Sequence, residues 1–349
     1  MRLSPPLAAP PRIAAAALWL PPHRDTREGA LAAVRVDEET AERLGYREVT
    51  ESREHSAPEM AALAAAEAME AAGWEAEDVD LVAHAWTYYQ GHDFWSPANY
   101  VARRIGALRA PAVGVQQMCN GGAAALEIAA TRMAADPAVR RCVVTTADRF
   151  VPPGFDRWIG DYEVAYGDSG TALLLDRDEG PYEVLSVATT AYSRYENMHR
   201  DEDAFGLAPH LRPRVDVRRT KRAFLASGAE DGFAETLIAA VVEVVGTALA
   251  EAQAAPDDPR VRVLALPRLG AGTLEKFFQP AVDRLGLSHA EIAYLGTGTG
   301  HLGAGDSAAN LADLHERKQL SDGDIALLLT LGGGFSWSCI AVRALGVNA

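Results

Sequence analysis

From about residue 78 onward, short runs of apolar and β-branched residues alternate with stretches of helical period. Runs at 79–88, 112–118 and 141–147 predict strands, and 97–105 and 120–135 predict helices between them. Such alternation is the mark of an α/β fold. The pattern pauses over 154–170, which is rich in Gly, Pro and Asp, and resumes with strands at 171–175 and 182–189. A polar stretch follows, over about 193–232. Phe233, Leu237, Val241, Val244 and Ala248 then recur at helical spacing, and 261–266 reads as the next strand. The remainder repeats the rhythm of the first part: a helix at 273–285, a strand at 292–295, a helix at 307–318 and a closing strand from Ile325. Two halves of similar element order are therefore expected, at 1–190 and 191–349. Between Gly121 and Thr131 the only charged residue is Glu127, and a helix apolar on nearly every face is expected to be covered by protein all round. Near the start, 13–20 is apolar but bracketed by prolines, which predicts a short first strand in preference to a signal peptide.

Composition narrows the classes. The chain has 349 residues, 48% apolar and 23% charged, enough to bury a large core and to exclude disorder as the main state. With 33 Lys and Arg against 48 Asp and Glu, the net charge of -15 repels a polyphosphate backbone, so no nucleic acid is expected as a partner. No run approaches the roughly 18 uninterrupted apolar residues of a membrane span, so no membrane is expected either. Cys119, Cys142 and Cys339 lie far apart without CxxC or Cys/His spacing, which argues against a metal site and a disulfide framework and fits a reducing cytoplasm.

Among the cysteines, Cys119 stands out. It falls between the strand at 112–118 and the apolar helix, at a strand-to-helix turn where helix-end N–H groups favour an anion such as a thiolate. Position alone leaves open a buried structural cysteine. Cys142 and Cys339 lie inside apolar strands and read as structural. Gly298, Gly300 and Gly303 spell GxGxxG, but too little chain follows for a dinucleotide-binding domain. Gly167-Asp168-Ser169-Gly170 reads as a structural turn, since a serine-protease motif contradicts the α/β pattern. His301 lies in a small-residue loop, and His84 and His92 flank the segment Trp86-Thr87-Tyr88-Tyr89-Gln90-Gly91. Arg212, Arg214, Arg218, Arg219, Lys221 and Arg222, opposed only by Asp216, form a cationic run that is either a solvated loop or a phosphate-binding one.

Together these pieces resemble one family. Gln116-Gln117-Met118-Cys119-Asn120-Gly121-Gly122, followed by a small-residue helix, resembles the nucleophile segment of the thiolase superfamily, most closely the β-ketoacyl-ACP synthase III branch. Tyr166-Gly167-Asp168-Ser169-Gly170 is similar to that branch's turn before a strand, and Leu331-Gly332-Gly333-Gly334-Phe335-Ser336-Trp337 to its glycine-rich loop. The resemblance runs over roughly residues 55 to 345 and implies a five-layer αβαβα thiolase-like fold of two related halves, a homodimer, and a pantetheine tunnel to the cysteine. Two departures matter. Arg268 stands where the family carries the His that helps expel CO2, and His301 stands at the position of its Asn partner, where thiolases carry a His that assists the cysteine.

What the resemblance implies is therefore an acyltransferase of natural-product pathways. Cys119 would take an acyl group from an acyl carrier protein or CoA thioester, with His301 and Asp306 assisting and the N–H groups of Cys119 and Gly333 as oxyanion hole. A small-molecule hydroxyl or amine would be the acceptor, and no cofactor is expected beyond the acyl-CoA or acyl-phosphopantetheine substrate. Arg268, Trp86 and His92 are expected to bind substrate, and the run from Arg212 to Arg222 to dock the donor. The alternatives are a condensing ketosynthase in which another residue replaces the missing His, and a non-catalytic partner subunit, against which the intact Cys119 segment argues.

Overall fold

The computed structural model describes residues 10–208, 213–228 and 232–346. Its strands are β1 (Arg12–Trp19), β2 (His23–Thr26), β3 (Glu48–Glu51), β4 (Leu81–Ala85), β5 (Ala112–Val115), β6 (Arg141–Asp148), β7 (Ser169–Asp176), β8 (Tyr182–Ala191), β9 (Val261–Ala265), β10 (Glu291–Ala293), β11 (Ile325–Gly332) and β12 (Ser336–Ala344). All but β2 and β3 join one sheet in the order β10-β9-β11-β12-β8-β1-β7-β6-β4-β5. The order reads as the same five-strand pattern twice. In one half β1 pairs antiparallel with β7, β7 antiparallel with β6, and β4 lies parallel to both β6 and β5. In the other, β8, β12, β11, β9 and β10 repeat those pairings in turn. The two half-sheets pair with each other at Arg12↔Glu183 and Ile13↔Tyr182. The repeat thus begins with β8 at Tyr182, and the boundary expected at 190/191 falls at the end of that strand.

Five layers follow from which faces are apolar. Helices Gly121–Ala135 and Asp306–Glu316 lie between the two half-sheets, sharing a core in which Leu126 and Met133 meet Leu173, Leu311, Leu328 and Ile340. Helix Ala57–Ala72 covers the outside of the first half through Met60, Ala61, Ala64 and Ala68. Helix Phe233–Glu251 covers the second through Leu237, Val241, Val244 and Ala248, so its apolar length is used on the sheet. Buried on both sides, β7 and β11 carry the near-continuous apolar runs such strands require. The molecule has the mixed α/β, thiolase-like fold expected of it.

Two expectations are corrected. Helix Gly121–Ala135 is not covered all round, because Ile128 is 39% exposed on its outer side. The polar stretch after residue 193 is not all loop: it contains the helix Val217–Ala226, whose buried Val217, Thr220, Lys221 and Phe224 recur at helical spacing beneath a charged exterior.

Candidate active site

Cys119 stands at the turn joining β5 to the central helix, half-buried. The turn is held tightly. Met118 takes a left-handed φ of 49°, uncommon for a non-glycine residue and concentrated at functional sites. Asn120, fully buried, donates through Nδ2 to Gln117 Oε1 at 3.1 Å and Ser338 Oγ at 2.9 Å, tying the turn to β12. Thr330 on β11 donates to the Cys119 carbonyl at 3.3 Å. The turn is thus anchored to the opposite half of the molecule at both Cys119 and Asn120, and Cys119 lines a cavity of about 860 Å³. Thr87 Oγ1 lies 4.0 Å from that sulfur.

His301 shares the cavity. Its backbone is paired with the Tyr166-Gly167 segment, N to the Ala165 carbonyl and carbonyl to the Gly167 N–H, both at 2.9 Å. Its ring donates from Nδ1 to Asp306 Oδ2 at 2.7 Å. Asp306 also accepts from the backbone N–H of Leu302 at 2.9 Å and of Arg268 at 2.8 Å, so the carboxylate is fixed from three directions. Burial alone would push the imidazole down, but the Asp306 charge, the nearby Cys119 and hydrogen bonds to both hold it well above its usual value. Burial likewise raises Asp306, and the His301 charge and hydrogen bond outweigh it, keeping the carboxyl below the usual range. Helix and turn meet closely because Gly122 has no side chain: a Cβ there would lie 2.4 Å from the Ala304 carbonyl oxygen.

Asp148, at the end of β6, spans the same junction. It accepts from the N–H groups of Thr87 at 2.8 Å, Tyr88 at 2.7 Å and Ala304 at 3.0 Å, linking the Thr87 loop to the turn after His301. Burial pushes it up to about 7 against those donors. A further polar group lines the wall: Lys221 Nζ donates to Asp161 Oδ1 at 2.6 Å and to Glu163, and Tyr166 donates to Asp161 Oδ2 at 3.2 Å. Asp161 and Glu163 are both raised by burial, which Lys221 opposes. The Lys221 charge holds Asp161 low, and Glu163 is left at about 7. His199 faces the cavity beside Lys221 and Gly333. Neither Asp148, Asp161, Glu163 nor His199 was legible as a site residue, since none lies in a local motif and only the fold gathers them.

Several expected contacts lie elsewhere. Arg268 is fully buried and turned away from the cavity, with Nε on Asn310 Oδ1 at 3.0 Å, a second nitrogen on Thr299 Oγ1 at 2.9 Å and a third on Asp313 Oδ2 at 2.6 Å. Its guanidinium is thus spent on partners within the fold and does not line the cavity, where a substrate-binding role was expected. Trp86 stacks on His84 at 5.6 Å and abuts Gly114, and His92 lies on an exposed loop against Trp95, so neither lines the cavity. His84 is a core histidine between Thr145 at 3.0 Å and Gln90 at 3.2 Å, pushed down to about 4 by burial. Of the Gly167-Asp168-Ser169-Gly170 turn, Asp168 forms a buried bidentate pair with Arg157, both contacts at 2.6 Å.

The cationic run divides. Arg212 lies outside the described residues. Lys221 points inward, Arg218 is half-buried and donates to the Asp161 carbonyl at 2.7 Å, and Arg219 pairs with Asp203. Arg214 lies 4.0 Å from Asp216, and Arg222 is exposed, reaching the Tyr162 hydroxyl at 3.1 Å. The run is therefore one amphipathic helix with its approach, and only part of its charge faces outward.

The sequence model described as 3-oxoacyl-[acyl-carrier-protein] synthase III matches residues 113–193, and that of its C-terminal region residues 274–344. A β-ketoacyl-[acyl-carrier-protein] synthase III of Rhodospirillum centenum is 27% identical over 311 residues, 88% of this chain and 90% of its own. Among solved structures, the acyltransferase ChlB3 is 30% identical and superposes with a TM-score of 0.87 over 96% of this chain and 98% of its own. The synthase III of Aquifex aeolicus superposes at 0.75 with 19% identity, over 95% of this chain and 99% of its own. With the Cys119 turn, the Gly-rich turn and the doubled five-strand order all in place, the chain belongs to the β-ketoacyl-ACP synthase III-like family of the thiolase superfamily.

Proposed function

We propose that the protein is an acyltransferase that loads an acyl group onto Cys119 from an acyl carrier protein or CoA thioester and passes it to a small-molecule hydroxyl or amine in a natural-product pathway. The observation that carries this reading is the His301–Asp306 pair beside Cys119, at 2.7 Å and fully buried. A carboxylate behind an imidazole fixes the ring and stabilises its protonated form, the arrangement of an acyl-transfer triad. The Cys119 thiolate attacks the thioester carbonyl, and as the tetrahedral intermediate collapses the C–S bond to the donor breaks and the donor's sulfur leaves as a thiol, taking the proton held on His301. Among the described residues the N–H groups of Cys119 and Gly333 make no protein hydrogen bond, which leaves them free for an oxyanion. Condensation needs donors aimed at an enolate instead, and Arg268, at the position of the family's decarboxylating His, is committed to Asp313, Asn310 and Thr299. Similarity to ChlB3, an acyltransferase, supports the same reading.

Intact mass after incubation with acyl thioesters tests it. The wild-type protein gains one acyl group and Cys119→Ala gains none. With acetyl and malonyl thioesters together, transfer to a hydroxyl or amine proceeds without CO2 release. Efficient ketoacyl formation would assign the protein to the condensing ketosynthases, the alternative its synthase III relatives represent. As a second element of the proposal, the chain works as a homodimer.

A further inference from the structure

One wall of the cavity carries charge that the acyl-transfer steps do not use. Much of the cavity is apolar, lined by Phe233, Leu237, Leu269, Phe277, Phe278 and Phe335. Set into it are Asp161 and Glu163, from the segment before β7, and Lys221, from the helix Val217–Ala226. Tyr166 joins this group to the chemistry: its hydroxyl donates to Asp161 Oδ2 at 3.2 Å, and its ring centroid lies 5.4 Å from that of His301. The charged wall therefore begins one side chain away from the imidazole beside Cys119.

Two carboxylates here share one ammonium. Lys221 Nζ donates to Asp161 Oδ1 at 2.6 Å and to Glu163 Oε2. Asp161 is the better satisfied of the two, since the Tyr162 N–H at 2.6 Å and the Tyr166 hydroxyl add to Lys221, and it is 3% exposed. Glu163 is less so. Among the described residues no donor reaches its other oxygen, and its side chain keeps 36% of its surface open. Arg43 and Lys276 also line the cavity, but both are exposed and, among the described residues, neither is paired with Asp161 or Glu163.

Carboxylates in an apolar setting are costly unless charge and hydrogen bonds compensate them. With one lysine between two, the wall is one positive charge and one donor short. A proton makes up part of the shortfall, because burial and the Asp161 charge push Glu163 up to about 7 against the pull of Lys221. An ammonium group would make it up fully, bringing the missing charge and an N–H for the open Glu163 oxygen together. We propose that this wall recognises a protonated amine on the substrate, carried by the acceptor or by the acyl group, with Glu163 as the residue that selects it. The assignment rests on the acyl-transfer reading and names a substrate class for it. The fold itself does not require the second carboxylate: in Glu163→Gln the amide still accepts from Lys221, and Lys221 stays paired with Asp161.

Pairs of substrates equal in shape and different in charge test this. In one arm, Cys119 is loaded with the acetyl thioester of N-acetylcysteamine and discharged to dimethylaminoethanol or to its uncharged isostere, isoamyl alcohol, each below saturation. In the other, Cys119 is loaded from dimethylglycyl or isovaleryl thioesters of N-acetylcysteamine. The quantity read is the ratio of the amine's rate to its isostere's, compared between wild type and Glu163→Gln so that the amine's own reactivity cancels. In one arm the ratio is expected to fall by about 10–100-fold in the variant, the worth of a hydrogen bond between charged groups. The uncharged isostere should stay within about twofold. A fall on discharge places the amine on the acceptor, and a fall on loading places it on the acyl group. Ratios within threefold of wild type in both arms overturn the assignment and leave the acyl-transfer reading standing. Equal losses for amine and isostere, with a lowered thermal midpoint, also overturn it by giving Glu163 a structural role. A wild-type protein that forms no Cys119 adduct overturns the acyl-transfer reading and this assignment with it.

Discussion

Asp306 does two jobs with one carboxylate, and they separate by substitution. One oxygen receives the His301 ring and the Arg268 N–H, and the other receives the Leu302 N–H. Replacement by alanine would leave buried donors unpaired and mix a folding defect with a chemical one. Asp306→Asn keeps the volume and one acceptor but removes the charge that holds the proton on His301. Comparable carboxylate-to-amide changes behind a catalytic imidazole lower turnover by about 10⁴-fold with geometry intact. Asp306→Asn is therefore expected to lower acyl transfer by about 10²–10⁴-fold while the thermal midpoint moves by only a few degrees, measured by steady-state transfer and differential scanning. A turnover within tenfold of wild type would show that the carboxylate serves the fold alone. Arg268 gains a role in the same arithmetic. Its backbone N–H steadies Asp306 while its guanidinium is consumed by Asp313 and two neutral partners, so it supports the site from behind. Nothing in a linear sequence distinguishes a cation pointing into a tunnel from one pointing out of it.

At the level of elements, period was readable and exposure was not. Strands such as β6, β7 and β11 are buried on both faces, so their apolar runs were unambiguous, and Cys119 was found because a strand and an apolar helix bracket it. The helix Val217–Ala226 was hidden because its four buried positions include Thr220 and Lys221, which look polar until Asp161 and Glu163 are seen to neutralise the lysine. Trp86 and His92 were misassigned because the loop after β4 turns them toward Gly114 and solvent, a choice set by Asp148 holding the Thr87 and Tyr88 N–H groups. The docking expectation for the cationic run narrows accordingly. Arg218 holds the backbone of Asp161 and Lys221 the cavity wall, which leaves Arg219 and Arg222 as the outward charges of this helix. Such rim charges act on encounter more than on the bound complex. Arg219→Gln with Arg222→Gln is expected to lower the association rate of an acyl carrier protein several-fold and to flatten its salt dependence, with turnover at saturating donor within about twofold. Stopped-flow binding across an ionic-strength series checks it, and an unchanged salt slope would return the helix to a solvated structural role.

On the scale of the whole molecule, one edge of the ten-stranded sheet is unfinished. β5 lies at the end of the strand order, with Val113 37% exposed and, among the described residues, no strand beyond it. A strand edge of this kind presents unpaired N–H and C=O groups that invite another chain. Beside it the central helix leaves Ile128 uncovered, and the loop after β4 leaves Phe94 and Trp95 exposed, so apolar side chains accompany the open backbone. A two-fold arrangement would let the same surface serve both copies, each β5 pairing with its counterpart. It would also bear on the proposed chemistry, since β5 runs directly into Gln116 and the Cys119 turn, and anchoring the strand anchors Cys119. Sedimentation velocity at about 10 µM protein is expected to give a species of twice the 37.2 kDa chain mass. Val113→Lys combined with Ile128→Lys, placing two charges on that surface, should shift it to the single chain and slow acyl loading of Cys119 several-fold, with far-UV dichroism unchanged. A wild-type protein that sediments as one chain at that concentration would leave the exposed β5 edge without a partner and remove the homodimer from the proposal.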